Sequence, residues 1–225
     1  MRLLILLCFM TASVFAQTPP IEPGVSHELA KWRAARYSDV RYKLDLTLEK
    51  MSPVLKGTIE IRVNVRDAGS GGRGDAAIVL DWRKIRGHED KSTISNVSIN
   101  GSVRSPAFRR QASIIPNAAG NEERPPEGGT PNAGKPPEGG TPNAFEESNE
   151  HLIFRDGVVV GENVIKLDFT SPILTSGSAI TRYVDKEDGA EYIYSLFVPS
   201  DASTAFPVFD QPDLKAKFSL QAKFP

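Results

Sequence analysis

The three histidines of the chain are the first residues to consider for metal chemistry. Two histidines one helical turn apart, with a glutamate next to the first, bind zinc and activate a water molecule. His27 and Glu28 begin such a pattern, but Lys31 stands where the second histidine is required. His88 and His151 lie in or beside predicted loops without ligand spacing. We therefore expect no metal site and no catalytic residue in this chain.

Other catalytic patterns are also missing. Cys8 is the only cysteine and lies in an apolar N-terminal stretch, so the rest of the chain has no thiol nucleophile, disulfide or cysteine metal site. No G-x-S-x-G motif is present, which argues against a serine hydrolase of that type. Glu187 and Asp188 fall in a predicted turn and are interpreted as surface charge. The glycines of 67–75 precede no Gly-Lys-Ser/Thr motif and are interpreted as a hairpin connection, not a phosphate cradle.

The elements that would position any site are almost all strands. One short helix is predicted from an N-cap at Ser26 to near Arg36. Apolar–polar alternation, together with runs of branched and aromatic residues bounded by turn signals, predicts strands at 40–48, 57–65, 77–82, 94–101, 151–154, 163–169, 179–184, 192–197 and 214–221. The first two are expected to form an antiparallel hairpin, and Asn100-Gly101 is a turn signal. This pattern predicts an all-β fold, a saddle-like β-sandwich of antiparallel strands with one short N-terminal helix.

The most informative segment is 192–218. It begins with a strand of aromatic and branched residues, after which Pro199 and Pro207 prevent a continuous strand ladder. Asp210 lies two residues before Pro212, which is a turn signal, and an alternating strand follows. Any all-β domain could contain such a loop.

The same segment resembles the end of the N-terminal domain of the zinc metallopeptidases of the aminopeptidase N and leukotriene hydrolase family. The family pattern there is roughly T-Q-x-E-x-x-x-A-R-x-x-F-P-C-x-D-E-P-x-x-K-A. Matching residues are Phe206-Pro207, Asp210, Pro212 and Lys215-Ala216. Weaker matches are Tyr42–Leu48, Gly57–Ile61, Leu80-Asp81, Ile94–Gly101 and Gly161–Leu167.

The resemblance implies one set of site residues. The glutamine and glutamate that line the family's pocket for a peptide N-terminus align with Leu196 and Val198, which are apolar here. Leu196, Phe197 and Val198 are therefore the substrate-facing candidates, and we expect them to form an apolar pocket wall that does not bind an ammonium group. Val208 replaces the family cysteine and Gln211 replaces the glutamate of D-E-P.

The resemblance also implies zinc and proteolysis for the full-length family but not for this chain. The family needs H-E-x-x-H, a downstream glutamate and G-x-M-E-N, which this sequence lacks. We expect the N-terminal β domain of an aminopeptidase, a truncated product or fragment without activity alone. The resemblance implies a catalytic domain as the partner of this domain, either missing or in a separate chain. Peptides are implied as further partners if the two domains are joined.

The N-terminus predicts export. An apolar stretch from Leu3 to Met10 and the small or branched residues Val14 and Ala16 predict a signal peptide at 1–16; an uncleaved anchor is the alternative. Cleavage would remove Arg2 and no acidic residue, so the formal net charge would change from −1 to −2. We expect a periplasmic or extracellular protein with no nucleic-acid partner and no membrane span after cleavage.

The domain organisation is predicted from these boundaries. A leader and helix occupy 17–36, and one β domain occupies 37–225. A nine-residue sequence at 125–133 recurs at 136–144, so 113–148 is interpreted as a disordered Pro/Gly-rich insertion, with a ligand-binding repeat as the alternative. Two further functional hypotheses remain: a free-standing secreted module that binds protein or carbohydrate, and an active peptidase, which would contain zinc.

Overall fold

The computed structural model describes residues 18–67, 76–103 and 145–225. The predicted signal peptide lies outside the described residues, and so do 68–75 of the glycine-rich loop and 113–144 of the predicted insertion. No helix of the described part is long and apolar enough to cross a membrane.

One helix and eleven strands form the described part of the chain. The helix, α1, is His27–Arg36. The strands are β1 Tyr37–Thr47, β2 Val54–Val65, β3 Ile78–Asp81, β4 Thr93–Ile99, β5 Ser102–Val103, β6 Glu146–Ser148, β7 His151–Phe154, β8 Gly161–Pro172, β9 Ile180–Val184, β10 Glu191–Ser195 and β11 Ala216–Lys223. The all-β prediction is confirmed.

Helix α1 begins where the sequence predicts. The Ser26 hydroxyl accepts a hydrogen bond from the amide of Leu29 at 3.2 Å, which satisfies one of the free amides of the first turn. The backbone then changes directly from helix to strand, because Tyr37 is extended. Leu29 and Trp32 are buried, so the helix covers one side of the core.

The strands form three sheets. The largest has the order β11-β1-β2-β8-β4-β5, the second β3-β7-β6, and the third pairs β9 with β10. The predicted hairpin of β1 and β2 is confirmed, with Leu44 opposite Ile59. The Asn100-Gly101 turn joins β4 to β5, and both residues have positive φ, as such a turn requires.

Period-two alternation divides the six-stranded sheet into two faces. One face carries apolar residues that are almost fully buried in a single core, such as Tyr42, Ile61 and Ile165. The other face is polar, and cross-strand pairs such as Lys166 with Glu60 (2.9 Å) lie along it. The core therefore lies between the inner face of this sheet and the elements that cover it.

Three features differ from the sequence-based expectation. β11 pairs parallel with β1, with Tyr42 opposite Phe218. The sequence predicted antiparallel strands, so this pair differs from the prediction. Local alternation does not encode strand direction, which is why this pairing was not visible in the sequence. β5 was missed because it has two residues. The last four residues of the predicted insertion, 145–148, are described, and Glu146–Ser148 form β6 although the segment is polar.

A close approach between strands occurs at Gly57. Gly57 is the cross-strand partner of Phe169, and a Cβ added to Gly57 would lie 2.4 Å from the Phe169 Cζ and 3.0 Å from a Leu46 methyl carbon. The Phe169 ring thus fills the space of the missing side chain. It also makes an edge contact with Trp82, 6.2 Å between ring centres, so Gly57 lets this ring reach the residue that follows β3.

We predict that Gly57→Ala lowers the free energy of unfolding by about 1–3 kcal/mol, because the added methyl group overpacks the core. Urea denaturation measures the change. In a Phe169→Leu background, Gly57→Ala should lower the free energy of unfolding by less, because the aromatic ring that the added methyl group would meet is absent. The solvent-face variant Lys56→Ala is the control and should leave stability nearly unchanged. Equal or higher stability of Gly57→Ala would contradict the packing argument.

Candidate functional site

The segment singled out in the sequence presents a row of exposed apolar side chains. Tyr192, Tyr194, Leu196 and Val198, which we call the exposed apolar row, are between 53% and 68% exposed. Tyr192 and Tyr194 lie on one face of β10, and Leu196 and Val198 continue the row beyond the end of the strand. Tyr183 on β9 is opposite Tyr192, with ring centres 6.2 Å apart, and extends the same surface.

The hairpin of β9 and β10 is attached to the turn between β1 and β2 by charged groups. Glu191 accepts hydrogen bonds from Arg182 at 2.5 Å and from the amide of Met51 at 3.0 Å. Arg182 also donates to the carbonyl oxygen of Ser52. Because the side chains of Arg182 and Glu191 are mostly buried, this ion pair fixes the part of the hairpin next to its turn, while the aromatic side chains of the hairpin remain in solvent.

The three substrate-facing candidates occupy the end of this row. Leu196 and Val198 are more than half exposed, whereas Phe197 is 38% exposed and makes an edge contact with the buried Phe206, 5.7 Å between ring centres. A cis peptide bond joins Val198 to Pro199. Their apolar character and exposure agree with a pocket wall, and their contact with substrate stays a prediction.

The loop that follows is attached to the core at four consecutive residues. Val208 exchanges two backbone hydrogen bonds with Asp81, at 2.7 and 3.1 Å. The amide of Phe209 donates to the Tyr42 hydroxyl at 2.9 Å, and the amide of Asp210 donates to the Asp81 carboxylate at 2.7 Å. The Gln211 side chain donates to the carbonyl oxygen of Ala30 at 3.2 Å. Five hydrogen bonds at four consecutive residues therefore set the position of the loop.

Gln211 also accepts a hydrogen bond from Arg33 at 3.3 Å. Its amide thus accepts at one end and donates at the other. A glutamate, which the family pattern has at this position, has no donor for the Ala30 carbonyl when it is ionised. The replacement therefore suits the local contacts.

A buried charge cluster of Arg33, Asp81 and His151 lies behind this loop. Arg33 forms two hydrogen bonds with the Asp81 carboxylate, at 2.6 and 2.9 Å. The Nε2 atom of His151 lies 3.1 Å from an oxygen of Asp81, and its Nδ1 atom lies 2.5 Å from the carbonyl oxygen of Asn149. Arg33 and His151 are fully buried, so α1, β3 and β7 converge on one carboxylate.

Burial and neighbouring charges act in opposite directions on Asp81. Burial disfavours its ionised form, but the Arg33 guanidinium, His151 and the Asp210 amide outweigh this effect and hold the pKa of the carboxyl below its usual range. In contrast, burial raises the pKa of the Asp210 carboxyl, and the nearby Asp81 adds to the rise although Ser203 lowers it. The two carboxyls thus differ because only one has a cationic partner in contact.

A zinc ion does not fit this cluster. Arg33 occupies the side of the carboxylate where a cation would have to bind, and the described residues contain no group of three or more His, Cys, Asp or Glu side chains that could hold a metal. His27 and His88, the other histidines considered in the sequence, lie in α1 and before a 3₁₀ turn. The cluster is a structural ion pair, not a metal centre.

The sequence did not reveal this cluster. Arg33 and Asp81 are 48 positions apart, and Asp81 and Asp210 are 129 apart. Leu80-Asp81 was noted only as a strand end, and His151 was considered only for metal binding. The one local signal was a charged residue, Arg33, among the apolar positions of α1.

Comparison with known proteins identifies the domain. Residues 142–225 match the model of the Peptidase M1 N-terminal domain. This segment of the chain is therefore of the M1 aminopeptidase N-terminal type. The M1 match includes β6 to β11, the exposed apolar row and the loop held by Asp81.

Relatives of the M1 domain are aminopeptidases. The chain is 35% identical over 69 residues to aminopeptidase N of Streptomyces lividans, which is 31% of the chain and 8% of the relative. It is 33% identical over 84 residues to aminopeptidase M1-B of Oryza sativa subsp. japonica, which is 36% of the chain and 10% of the relative. The aligned part thus spans a small fraction of these enzymes.

Solved structures show the same fold. Native leukotriene A4 hydrolase from Saccharomyces cerevisiae superposes with a TM-score of 0.54 at 14% identity, over 85% of this chain and 24% of the hydrolase. The yeast hydrolase in complex with bestatin gives a TM-score of 0.52 at 15% identity, with the same coverage. These likenesses extend the fold assignment beyond residues 142–225.

We predict that Asp81→Asn lowers the free energy of unfolding by about 3–5 kcal/mol, because Arg33 would lose its buried partner charge. Asp201→Asn is the matched control, since Asp201 pairs with Arg83 at the surface. This substitution should lower the free energy of unfolding by at most about 1 kcal/mol. Urea denaturation compares them. If Asp81→Asn fails to fold and Asp201→Asn folds, the result agrees with the prediction. An equal decrease in the free energy of unfolding for the two variants would contradict it.

We also predict an acid-dependent loss of stability from Asp81. Its pKa is lower in the folded than in the unfolded chain, so its contribution is present above the unfolded value of about 3.9 and is lost as the pH falls through the folded value. An NMR titration of the folded protein should find the Asp81 carboxyl still ionised below about pH 3.9. Titration at or above that value would contradict the proposed balance of charges.

Proposed function

We propose that this chain is the non-catalytic N-terminal β domain of an M1-type zinc aminopeptidase, and that it acts by docking on a catalytic domain. The observation that supports the proposal most directly is the exposed apolar row within the matched segment. Four large apolar side chains on one strand and its extension are unusual for a solvent-facing surface and are typical of an interaction site.

The rigid mounting of the row supports the same proposal. The Arg182–Glu191 ion pair holds one end of the hairpin, and the contact of Phe197 with Phe206 joins the other end to the loop held by Asp81. A surface that is held at both ends loses little conformational freedom on binding, which favours affinity. The row is therefore suited to dock on a partner as a preformed surface.

The proposed role in substrate recognition is limited. The side chains of Leu196, Phe197 and Val198 have no group that can accept a hydrogen bond from a peptide ammonium. If they line the pocket of the assembled enzyme, they contact apolar parts of a peptide. Peptide cleavage itself is assigned to the catalytic domain, which in the M1 family depends on zinc.

Export remains part of the proposal. The N-terminal pattern supports a protein that acts in the periplasm or outside the cell, after removal of residues 1–16. The charge of the chain gives no reason to propose a nucleic-acid partner.

We predict that the tagged chain, expressed in its source cells, co-purifies with a polypeptide that contains H-E-x-x-H and G-x-M-E-N. The double variant Tyr194→Glu/Leu196→Glu should recover at least tenfold less of this partner, because the added charges disrupt apolar docking. Val160→Glu is the matched control, since Val160 is an exposed apolar residue outside the row. Mass spectrometry identifies and quantifies the partner.

The chain alone should contain no stoichiometric zinc and should not cleave aminoacyl-anilides. Bound zinc with chelator-sensitive cleavage would instead support the active-peptidase hypothesis. Recovery of a specific partner without the two motifs would favour the free-standing binding module. Either result would overturn the proposed function.

A further inference from the structure

The leader before α1 lies against the turn that joins β6 to β7. We call its described part, residues 18–25, the strap. The Asn149 side chain donates a hydrogen bond to the carbonyl oxygen of Ile21 at 2.7 Å. The Glu150 carboxylate accepts a hydrogen bond from the amide of Gly24 at 3.0 Å. Two consecutive turn residues therefore hold the strap with their side chains.

The strap has few other attachments to the domain. Ile21 is half-buried and packs against the core, and the Thr18 hydroxyl accepts a hydrogen bond from Arg155 at 3.4 Å. Within the described residues the strap pairs with no strand, so it can open without disrupting a sheet. Pro19, Pro20 and Pro23 fix φ at three of its positions, which reduces the conformational entropy that is lost when the strap closes.

The turn that holds the strap has an unfavourable residue at its second position. Asn149 and Glu150 form a two-residue hairpin connection, and their φ angles are +47° and +66°. Such turns favour Asn-Gly because both residues need positive φ, and the connection between β4 and β5 has this pair as Asn100-Gly101. Glu150 thus stands where glycine would be less strained. Its carboxylate makes a contact with the strap that glycine cannot make.

The backbone of the same turn faces the buried charge cluster. The carbonyl oxygen of Asn149 lies 2.5 Å from the Nδ1 atom of His151. The carbonyl oxygen of Glu150 accepts a hydrogen bond at 2.8 Å from the amide of Trp82, the residue that follows Asp81. Each turn residue therefore has its side chain on the strap and its carbonyl group on the cluster or on a neighbour of the cluster.

We propose that residues 18–25 are a strap that opens and closes, with Glu150 as its latch, and that closure orders the turn beside the charge cluster. In the closed state the two side-chain hydrogen bonds fix Asn149 and Glu150, and with them the carbonyl groups that face His151 and Trp82. In the open state the strained Glu150 has no compensating bond, so the turn loosens. The position of the leader is thus coupled to the order of the cluster, independently of any docking partner.

Amide hydrogen exchange of the full chain tests the latch. The wild-type Gly24 amide should exchange at least tenfold more slowly than in a free peptide of residues 18–26. Glu150→Gly should lose this protection, although glycine relieves the backbone of the turn. Glu150→Gln keeps an oxygen acceptor and should keep the protection to within threefold. Glu147→Gln, in an exposed carboxylate of β6 that pairs with Lys84, is the matched control and should keep the wild-type rate.

The Trp82 amide tests the coupling to the cluster. Glu150→Gly should accelerate its exchange at least threefold relative to the Ile59 amide of the core, because the Glu150 carbonyl group is no longer held in place. Asn149→Gly, which removes the other contact with the strap, should accelerate it in the same way. An unprotected Gly24 amide in the wild-type chain, retained protection in Glu150→Gly, or an unchanged relative rate at Trp82 would each overturn the proposal.

Discussion

The buried ion pair between Arg33 and Asp81 is the interaction on which the rest of the structure depends. A carboxylate with almost no solvent contact stays ionised only if its charge and its lone pairs are matched. Asp81 meets this condition with two hydrogen bonds from Arg33, one from the amide of Asp210, and the nearby ring of His151. Each partner comes from a different element, so the helix, the three-stranded sheet and the C-terminal loop must all be in place at once.

The loop that Asp81 holds in place connects this ion pair to the proposed function. Backbone bonds between Asp81 and Val208, and the hydroxyl of Tyr42, set the path of the chain just after the exposed apolar row. Phe206 begins this path and contacts both Phe197 and Phe218. The buried Phe206 thus joins the exposed apolar row to the core. This arrangement is what the proposed docking on a partner domain requires.

Much of the fold could be predicted, because alternation is a local property. β1 and β8 follow from period-two patterns, and α1 from a serine N-cap. The polar β6 and the parallel direction of β11 could not be predicted, because they depend on distant partners. For the same reason the charge cluster was invisible, whereas the apolar replacements at Leu196 and Val198 could be seen directly in the resemblance to the family.

Hydrogen exchange of three amides in the native protein tests the central claim most directly. The amides of Asp81, Val208 and Asp210 donate the bonds that join the buried carboxylate and its strand to the loop. The account predicts that they exchange only through global unfolding, as slowly as the core amides of β2 and β8. Exchange of the Val208 and Asp210 amides orders of magnitude faster than those core amides would show that the loop opens on its own, and would contradict the account.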